Sequence, residues 1–442
     1  MPLADRAVRT ALRTAGAELL LLAALPANLA VTGLALVAGP LSPVPEMTPA
    51  RRRTVLVSGG KMTKALQLCR AFHRAGHRVV LVEQEKYRLT GHRASRCVDA
   101  FHTVPTPQDP GYAQALLDIV RAEGIDLYVP VCSPVASWYD AAAAELLSPW
   151  CEVLHSDPDT VARLDDKATF AEMAAQAGLV TPVTHRITSP DQVAPLLVGA
   201  DRPYVLKSIA YDPVHRLDLT RLPLETAEAT AAFAATKPIS PDNPWILQEF
   251  VDGLEYCSHS TVRRGELVVH ICCRSSAFQV TYEGINHPEV EQWVRTFAKA
   301  HDLTGQVSLD FLQEPGGRLL AIECNPRTHS AITTLHDHPG LADAYLTDTP
   351  GAPVVEPLPG SRPTYLAYHE AWRLLRHPGS ARDVVRTVLR GKDAIFDWRD
   401  PLPFLLVPHR QIAGLLWQSL VHGKEWIRID VNIGKLVEPA GD

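Results

Sequence analysis

The spacing of apolar and polar positions changes character along the chain. Residues 17–41 form the most apolar run, with Glu18, Asn28 and Thr32 as its clearly polar members. A helix needs ~20 apolar residues to cross a bilayer, and this run is long enough. Pro26 in its middle predicts a kink. Arg6, Arg9 and Arg13 precede it and Arg51, Arg52 and Arg53 follow it, so the basic flanks give no orientation. The leading expectation is membrane association through 17–41, either spanning or lying in the interface with both ends cytoplasmic. A buried core helix or a docking segment is the competing reading, and a signal peptide is a further one. Residues 41–50, with Pro43, Pro45 and Pro49, read as a linker.

The rhythm then alternates between short strand-like and longer helix-like stretches. Thr54–Ser58 is a β-branched and apolar run followed by Gly59-Gly60. A helical pattern from Thr63 to Ala75 is closed by Gly76, and Arg78–Glu83 is a second strand. This βαβ start, with later strands at Asp126–Cys132 and Glu152–His155, predicts a parallel α/β layer. Asp157–Gly178 reads as helical, Tyr204–Ser208 and Trp245–Val251 as strands, and Gln306–Arg327 as a hairpin. Residues 350–363 are proline-rich. Helical patterns follow at Tyr365–Arg376, Ala381–Leu389 and His409–His422, and Trp426–Ile433 is strand-like. Trp372, Leu375, Trp417 and Leu420 supply apolar faces for this last part, read as a packing appendage, with a pocket wall or partner surface as the rival.

Bulk properties narrow the class. Hydrophobic residues are 46% and charged residues 21%, the balance of a folded globular protein. The net charge of −6 and the lack of a basic stripe near the candidate site argue against nucleic acid as a partner. The eight cysteines are scattered without a CxxC spacing, which points to reduced thiols rather than zinc or a disulfide framework.

The hairpin carries the chemistry. With Gly316 and Gly317 as a two-residue loop, Asp310 falls directly opposite Glu323, with Cβ atoms roughly 4.5–5.5 Å apart. Two carboxylates that close repel unless a proton or cation separates them. Asn325 follows two residues after Glu323 and shares its face. An all-oxygen set of this kind suits Mg²⁺ or Mn²⁺. The bland alternative is a solvated face with one acid protonated.

Elsewhere the signals are weaker singly. The turn SGGKMTK at 58–64 lacks the GxGxxG spacing of dinucleotide binders, although Glu83 ends the second strand as an acid does in that motif. Ser58, Lys61 and Thr63 could line an anion site at the helix start, or the loop is a tight structural turn. Lys207 ends a strand, Lys167 lies in a helix, and WILQEFV is followed by the turn Asp252-Gly253-Leu254-Glu255. Two lysines, a strand followed by an acid and a metal face together suggest a nucleoside triphosphate, and no GxxxxGK[ST] is present to make it a P-loop site.

Taken in order, LDDKATF, YVLKS, LQEFVDGLE, SLDF and IECNPR resemble the ATP-grasp superfamily over residues 54–346. The resemblance implies an α/β fold: an N-terminal Rossmann-like pre-ATP-grasp domain (51–156), a two-lobed α+β ATP-grasp domain (157–349) and a mainly helical C-terminal extension (350–442), after an apolar segment and linker at 1–50. It implies ATP as cofactor with Mg²⁺ or Mn²⁺. Lys167 and Lys207 would contact the phosphates, Gln248, Glu249 and Val251 would form the adenine hinge, and Glu255 would hold the ribose. Asp310, Glu323 and Asn325 would bind the metal, and Arg327 and Lys207 would be catalytic, with Arg327 steadying the phosphoryl group. One departure is that Ser208–Leu219, where the family places a glycine-rich loop, contains no glycine. A narrower resemblance is to the mycosporine-glycine synthase family, carried by VSGGKMTKALQL, YVPVCSPVASWYD, STVRRGEL, SSAFQ, IECNPRTHSAIT and DWRDPLPFL. It implies 4-deoxygadusol and glycine as substrates and a cytoplasmic enzyme, which argues against a signal peptide. The runner-up is another ligase of the superfamily that activates a carboxylate as an acyl phosphate.

Overall fold

The apolar N-terminal run folds as a single helix, α1 (Leu3–Ala38), unbroken across Pro26. In this computed structural model the described residues are 3–39, 47–131, 133–210, 212, 214–215, 218–275, 281–349 and 351–438.

The βαβ pattern then builds a parallel sheet from β1 (Thr54–Val57), α2 (Thr63–Arg74), β2 (Arg78–Gln84), β3 (Ala100–Val104), α3 (Tyr112–Glu123), β4 (Leu127–Val129), α4 (Ala136–Leu147) and β5 (Glu152–Val153). The strand order is β3-β2-β1-β4-β5, with every pairing parallel. Strands β1, β2 and β4 are buried on both faces, as a sheet covered by helices on both sides requires. The fourth strand is shorter than the sequence suggests, and Cys132 lies outside the described residues.

The stretch expected as one helix over 157–178 is two, α5 (Pro158–Asp165) and α6 (Lys167–Gln176). Asp166 breaks it. Its backbone is extended, and its carboxylate accepts the N–H groups of Ala168 and Thr169 at 2.9 and 3.1 Å, capping α6. Lys167 therefore sits at the first position of α6.

A three-stranded antiparallel sheet follows, in the order β6-β8-β7. Its elements are β6 (Thr184–Ile187), a short α7 (Val193–Leu196), β7 (Tyr204–Ser208), α8 (Ala227–Ala235) and β8 (Trp245–Glu249). The second antiparallel sheet comprises β9 (Leu254–Arg263), β10 (Glu266–Arg274), β11 (Gly284–Ile285), β12 (Gly305–Gln313) and β13 (Leu319–Asn325), with α9 (Pro288–Ala300) packed on one face. Its other face shares a core with α2 of the parallel layer and with α10 (Leu341–Leu346), through Cys257, Ile271, Phe72 and Tyr345. One continuous apolar core thus ties the parallel layer to the sheet that carries the candidate site.

The remainder folds back on this body. β14 (Thr364–Tyr365) pairs with β15 (Lys392–Asp393), and between them run α11 (Ala367–Arg376) and α12 (Ala381–Arg390). Helical segments α13 (Leu402–Leu406), a π-turn at Val407–Ile412 and α14 (Ala413–His422) precede the hairpin β16 (Arg428–Asp430) and β17 (Lys435–Val437). A buried pair, Arg70 on α2 with Asp400 at 2.9 Å, anchors this part to the parallel layer, and Ser95 donates to the same carboxylate at 2.7 Å. Trp372, Leu375, Trp417 and Leu420, expected to pack, all point to solvent. The Arg376 guanidinium lies 5.5 Å from the Trp372 ring centre, and Leu420 is the least exposed of the four at 38%.

Candidate functional site

The hairpin forms, but by a different route from the expected two-residue loop. Its turn is Glu314-Pro315-Gly316-Gly317, closed by Gly317 N–H to Glu314 O at 2.8 Å and by Glu314 N–H to Arg318 O at 3.0 Å. Proline fixes the second turn position, and Gly317 takes the positive φ of +88°. This shifts the register by one residue, so Gln313 faces Leu319 and Phe311 faces Ala321. A bulge at Ile322 then adds a residue and shifts it back, which leaves Asp310 opposite Glu323 and Ser308 opposite Asn325. The two departures cancel, and the carboxylates meet as the sequence implied. The bulge also turns the Ile322 carbonyl outward, where it accepts from Gln248 Nε2 on the neighbouring sheet at 3.4 Å.

Asp310 and Glu323 share a hydrogen bond on this face. Burial and the neighbouring Glu323 charge push the Asp310 carboxyl well above its ordinary range. Burial also works against the Glu323 charge, but Lys167, the Asp310 hydrogen bond and Lys207 outweigh it and hold Glu323 below the usual carboxylate range. The pair therefore shares one proton in the absence of a cation. Lys167 Nζ lies 3.3 Å from Glu323. Asn325 donates to Glu323 at 3.4 Å, and Arg327 binds both Asn325 and Asp165, the latter at 3.0 Å. The donor set is hard oxygen, and the shared proton marks where a divalent cation fits. Lys167 and Arg327 hold the oxygens that such an ion would take, so its binding would free both side chains.

The opposite wall comes from the three-stranded sheet. Lys207 on β7 donates to Gln248 Oε1 on β8 at 3.0 Å, and Gln248 Nε2 also reaches Thr184 Oγ1 at 3.2 Å. Burial lowers the Lys207 pKa, and Glu323, Asp310 and Glu255 act against that while Lys167 adds to it. These groups feel one another across the cleft, so the two sheets bring together Lys167, Lys207, Glu255, Asp310 and Glu323. Glu255 accepts from Ser275 Oγ at 3.0 Å at the rim.

The expected hinge residues divide. Glu249 is buried, with its carboxylate engaged by Arg202 at 2.7 Å, Arg318 at 3.3 Å and the Val183 N–H at 3.2 Å. Its side chain is therefore structural, and only backbone groups near Glu249 and Val251 could face a base. Val251 is buried two residues past the end of β8. The glycine-free segment 208–219 is only partly described, and within it Asp212 pairs with His215 at 2.7 Å while His215 meets the Trp245 ring edge-on. Residues 276–280 of SSAFQ lie outside the described residues.

The anion reading of SGGKMTK is corrected. Lys61 is buried, its N–H donating to Glu83 at 2.8 Å and its ammonium 3.4 Å from the same carboxylate. Ser58 Oγ accepts from Val131 N–H at 3.0 Å. The Thr63 N–H at the helix start donates to Asn432 O at 2.9 Å. A Cβ on Gly434 would lie 2.2 Å from Lys61 O, so the β16–β17 loop packs directly on this turn. The loop is structural because the end of the chain covers it.

A second group escaped the sequence reading. Lys64 on α2 donates to Thr328 O, one residue past Arg327. His259 accepts the His329 N–H at Nδ1 at 3.2 Å, and His329 Nδ1 accepts from Ala331 N–H at 3.2 Å. Each ring therefore carries its proton on Nε2. Burial, then Lys64 and Arg327, push the His329 pKa down to about 3, so it is a neutral donor. Tyr282 stands edge-on to His329 at 5.4 Å. Position alone could have suggested His329, four residues after Asn325. Nothing in the spacing links it to His259.

No protein-family profile and no curated protein sequence matches the chain. Solved structures do share its fold. N5-carboxyaminoimidazole ribonucleotide synthetase, solved with ADP, superposes with a TM-score of 0.56 at 13% identity, covering 76% of this chain and 87% of that one. Phosphoribosylglycinamide synthetase from Anaerococcus prevotii gives 0.52 at 13% identity, covering 68% and 76%. Biotin carboxylase from Campylobacter jejuni, solved with a β,γ-ATP complex, gives 0.51 at 13% identity, covering 68% and 72%. The chain shares their mixed α/β fold.

Proposed function

We propose that the chain is an ATP-dependent ligase that joins an amine to a phosphate-activated oxygen substrate, releasing ADP and phosphate. The observation that carries this reading is the Asp310–Glu323 pair, flanked by Lys167, Lys207 and Arg327 in a cleft between two sheets. The division at 51–156, 157–349 and 350–442 into pre-ATP-grasp, ATP-grasp and C-terminal parts belongs to the same reading, as does a cytosolic site of action.

Asp310, Glu323 and Asn325 would hold Mg²⁺ or Mn²⁺, which supplies charge neutralisation on the nucleotide phosphates when bound. Lys167 and Lys207 position the phosphates, Gln248 with the backbone near Glu249 and Val251 borders the base, and Glu255 takes the ribose hydroxyls. Arg327, which binds Asn325 and Asp165, would steady the transferring phosphoryl group. Charge neutralisation and alignment of the attacking oxygen with the terminal phosphorus are the protein's contributions, and no covalent enzyme nucleophile is required. The seven described cysteines are buried and take no part.

The narrower reading takes 4-deoxygadusol and glycine as the substrates and mycosporine-glycine as the product, supported by the resemblance of the IECNPRTHSAIT and YVPVCSPVASWYD stretches. The enol oxygen attacks the terminal phosphorus and ADP leaves. The glycine nitrogen then adds to the activated carbon, loses a proton, and phosphate departs with the enol oxygen. The test is incubation with ATP, Mg²⁺, glycine and 4-deoxygadusol. A new near-ultraviolet chromophore is expected, with ¹⁸O from the enol appearing in phosphate. AMP with pyrophosphate, or label kept in the product, would overturn the mechanism. Turnover only with a carboxylic acid in place of the enol would establish the acyl-phosphate alternative.

A further inference from the structure

Helix α1 is long and apolar enough to cross a membrane, yet it is tied to the protein along its length by its polar side. Trp426 Nε1 donates to Thr14 Oγ1 at 3.0 Å, and the Arg13 guanidinium lies 3.8 Å over the Trp426 ring. Asn28 donates to Tyr368 OH at 2.7 Å and to Phe404 O at 3.0 Å, and Thr32 donates to Asn28 at 3.1 Å. At the far end a Cβ on Gly39 would lie 2.3 Å from Trp398 O, so the backbones touch there. Residues 13 to 39 span roughly 39 Å at 1.5 Å per residue. A helix held to the body at both ends and the middle cannot also thread a bilayer. Its opposite side, with Leu12, Leu19, Leu22, Leu29, Leu34 and Val37, is exposed, Leu22 at 62% and Val37 at 73%.

The exposed apolar surface continues beyond α1. On α11, Tyr368, Trp372, Leu375 and Arg376 follow one helix face at four- and three-residue steps. Tyr368 touches Asn28, and the Arg376 charge is felt at Arg13, so this face runs beside α1. On α12, Val385 and Leu389 form an exposed stripe next to an Arg382, Arg386 and Arg390 stripe. On α14, which packs against α1, Trp417 and Val421 are exposed. Residues 367–390 hold five arginines against two carboxylates, one of them the buried Glu370, in a chain whose net charge is −6. Arginines beside exposed leucine, valine and tryptophan suit the boundary of an anionic bilayer, where the alkyl stems enter and the guanidinium groups meet headgroups.

We infer that α1, α11, α12 and α14 form one monotopic membrane-binding face, with α1 lying flat in a single leaflet of an anionic bilayer. The occupant is the lipid surface. The local arginine excess favours it over a second copy, whose like-charged rim would repel.

The test uses the full chain with vesicles of phosphatidylcholine, alone or mixed with phosphatidylserine. Sedimentation with the mixed vesicles is expected, weakening as salt rises. Leu19→Glu combined with Leu22→Glu should lower that binding by roughly tenfold or more while leaving ligase turnover with soluble substrates intact. Arg382→Glu with Arg386→Glu should abolish the preference for phosphatidylserine. Arg9→Cys and Arg51→Cys, exposed positions flanking the apolar run, should both react with a membrane-impermeant maleimide added outside the vesicles. Protection of one end would show a spanning helix and overturn the flat placement. A detergent-free dimer that ignores vesicles would overturn the lipid assignment and give the face to a second copy.

Discussion

The cleft at β12–β13 and the outer face of α1 break opposite rules. In the cleft, Asp310 and Glu323 press together where burial disfavours charge. On α1, Thr14, Asn28 and Thr32 are buried while leucines and valines face solvent. Each region departs from the usual burial rule, and the remedy differs by chemistry. On the proposed reading, the carboxylates that share a proton take a cation beside the nucleotide phosphates. Exposed methyl groups edged by arginines call for acyl chains and headgroups. The apolar residues of α2 show the ordinary rule, with Leu68 and Phe72 turned into the core. Frustrated regions set against a well-packed background are a physical sign of binding surfaces.

The sharpest way to break the comparison is Asp310→Asn. It preserves shape and removes the ionisable oxygen, so ADP formation should fall by about 10³-fold. Circular dichroism and the thermal midpoint should show the fold retained. Near-normal turnover at ordinary Mg²⁺ would remove the cleft from the argument.

The second expectation concerns pH. Burial pushes His92 and His270 down to about 4, and His329 down to about 3. An unfolded histidine titrates near 6.5, so these rings are neutral in the fold where the unfolded chain would be charged. Their contribution is fully present above about pH 6.5 and is lost as pH falls toward their folded values, by about 1.4 kcal/mol per pH unit for each ring. Denaturant midpoints measured between neutral pH and pH 5 should drop accordingly, and His270→Gln should flatten the slope. A midpoint flat over that window would contradict neutral buried rings.

Two smaller effects separate the sides of α1. Asn28→Ala removes hydrogen bonds to Tyr368 and Phe404 and should cost about 1–2 kcal/mol in urea unfolding. Leu22→Gln, on the exposed side, should change stability by no more than about 0.5 kcal/mol. Equal costs for the two would mean that the helix is docked by its apolar side, and the comparison would fail.

How much of this could be read without coordinates depends on the range of the interactions. Periodicity and turn residues are local, and they located β1, α2, β2, β7, β8 and the hairpin to within a residue or two. The opposition of Asp310 and Glu323 also followed from local register, although a proline-led turn and a bulge at Ile322 both intervened and cancelled. Other features depended on distant partners. The SGGKMTK turn became structural only because residues 432–434 return to cover it. Glu249 lost its carboxylate to Arg202 and Arg318, from two other elements. His259 and His329 meet across 70 positions. The apolar run at 17–41 was plain from composition. Which side of it faces the protein was set by Trp426, Tyr368 and Phe404, more than 300 residues away. Local sequence specifies an element and its faces, because backbone geometry repeats every two or every 3.6 residues. Only the assembled chain decides what each face meets, because burial and pairing are settled by long-range contacts.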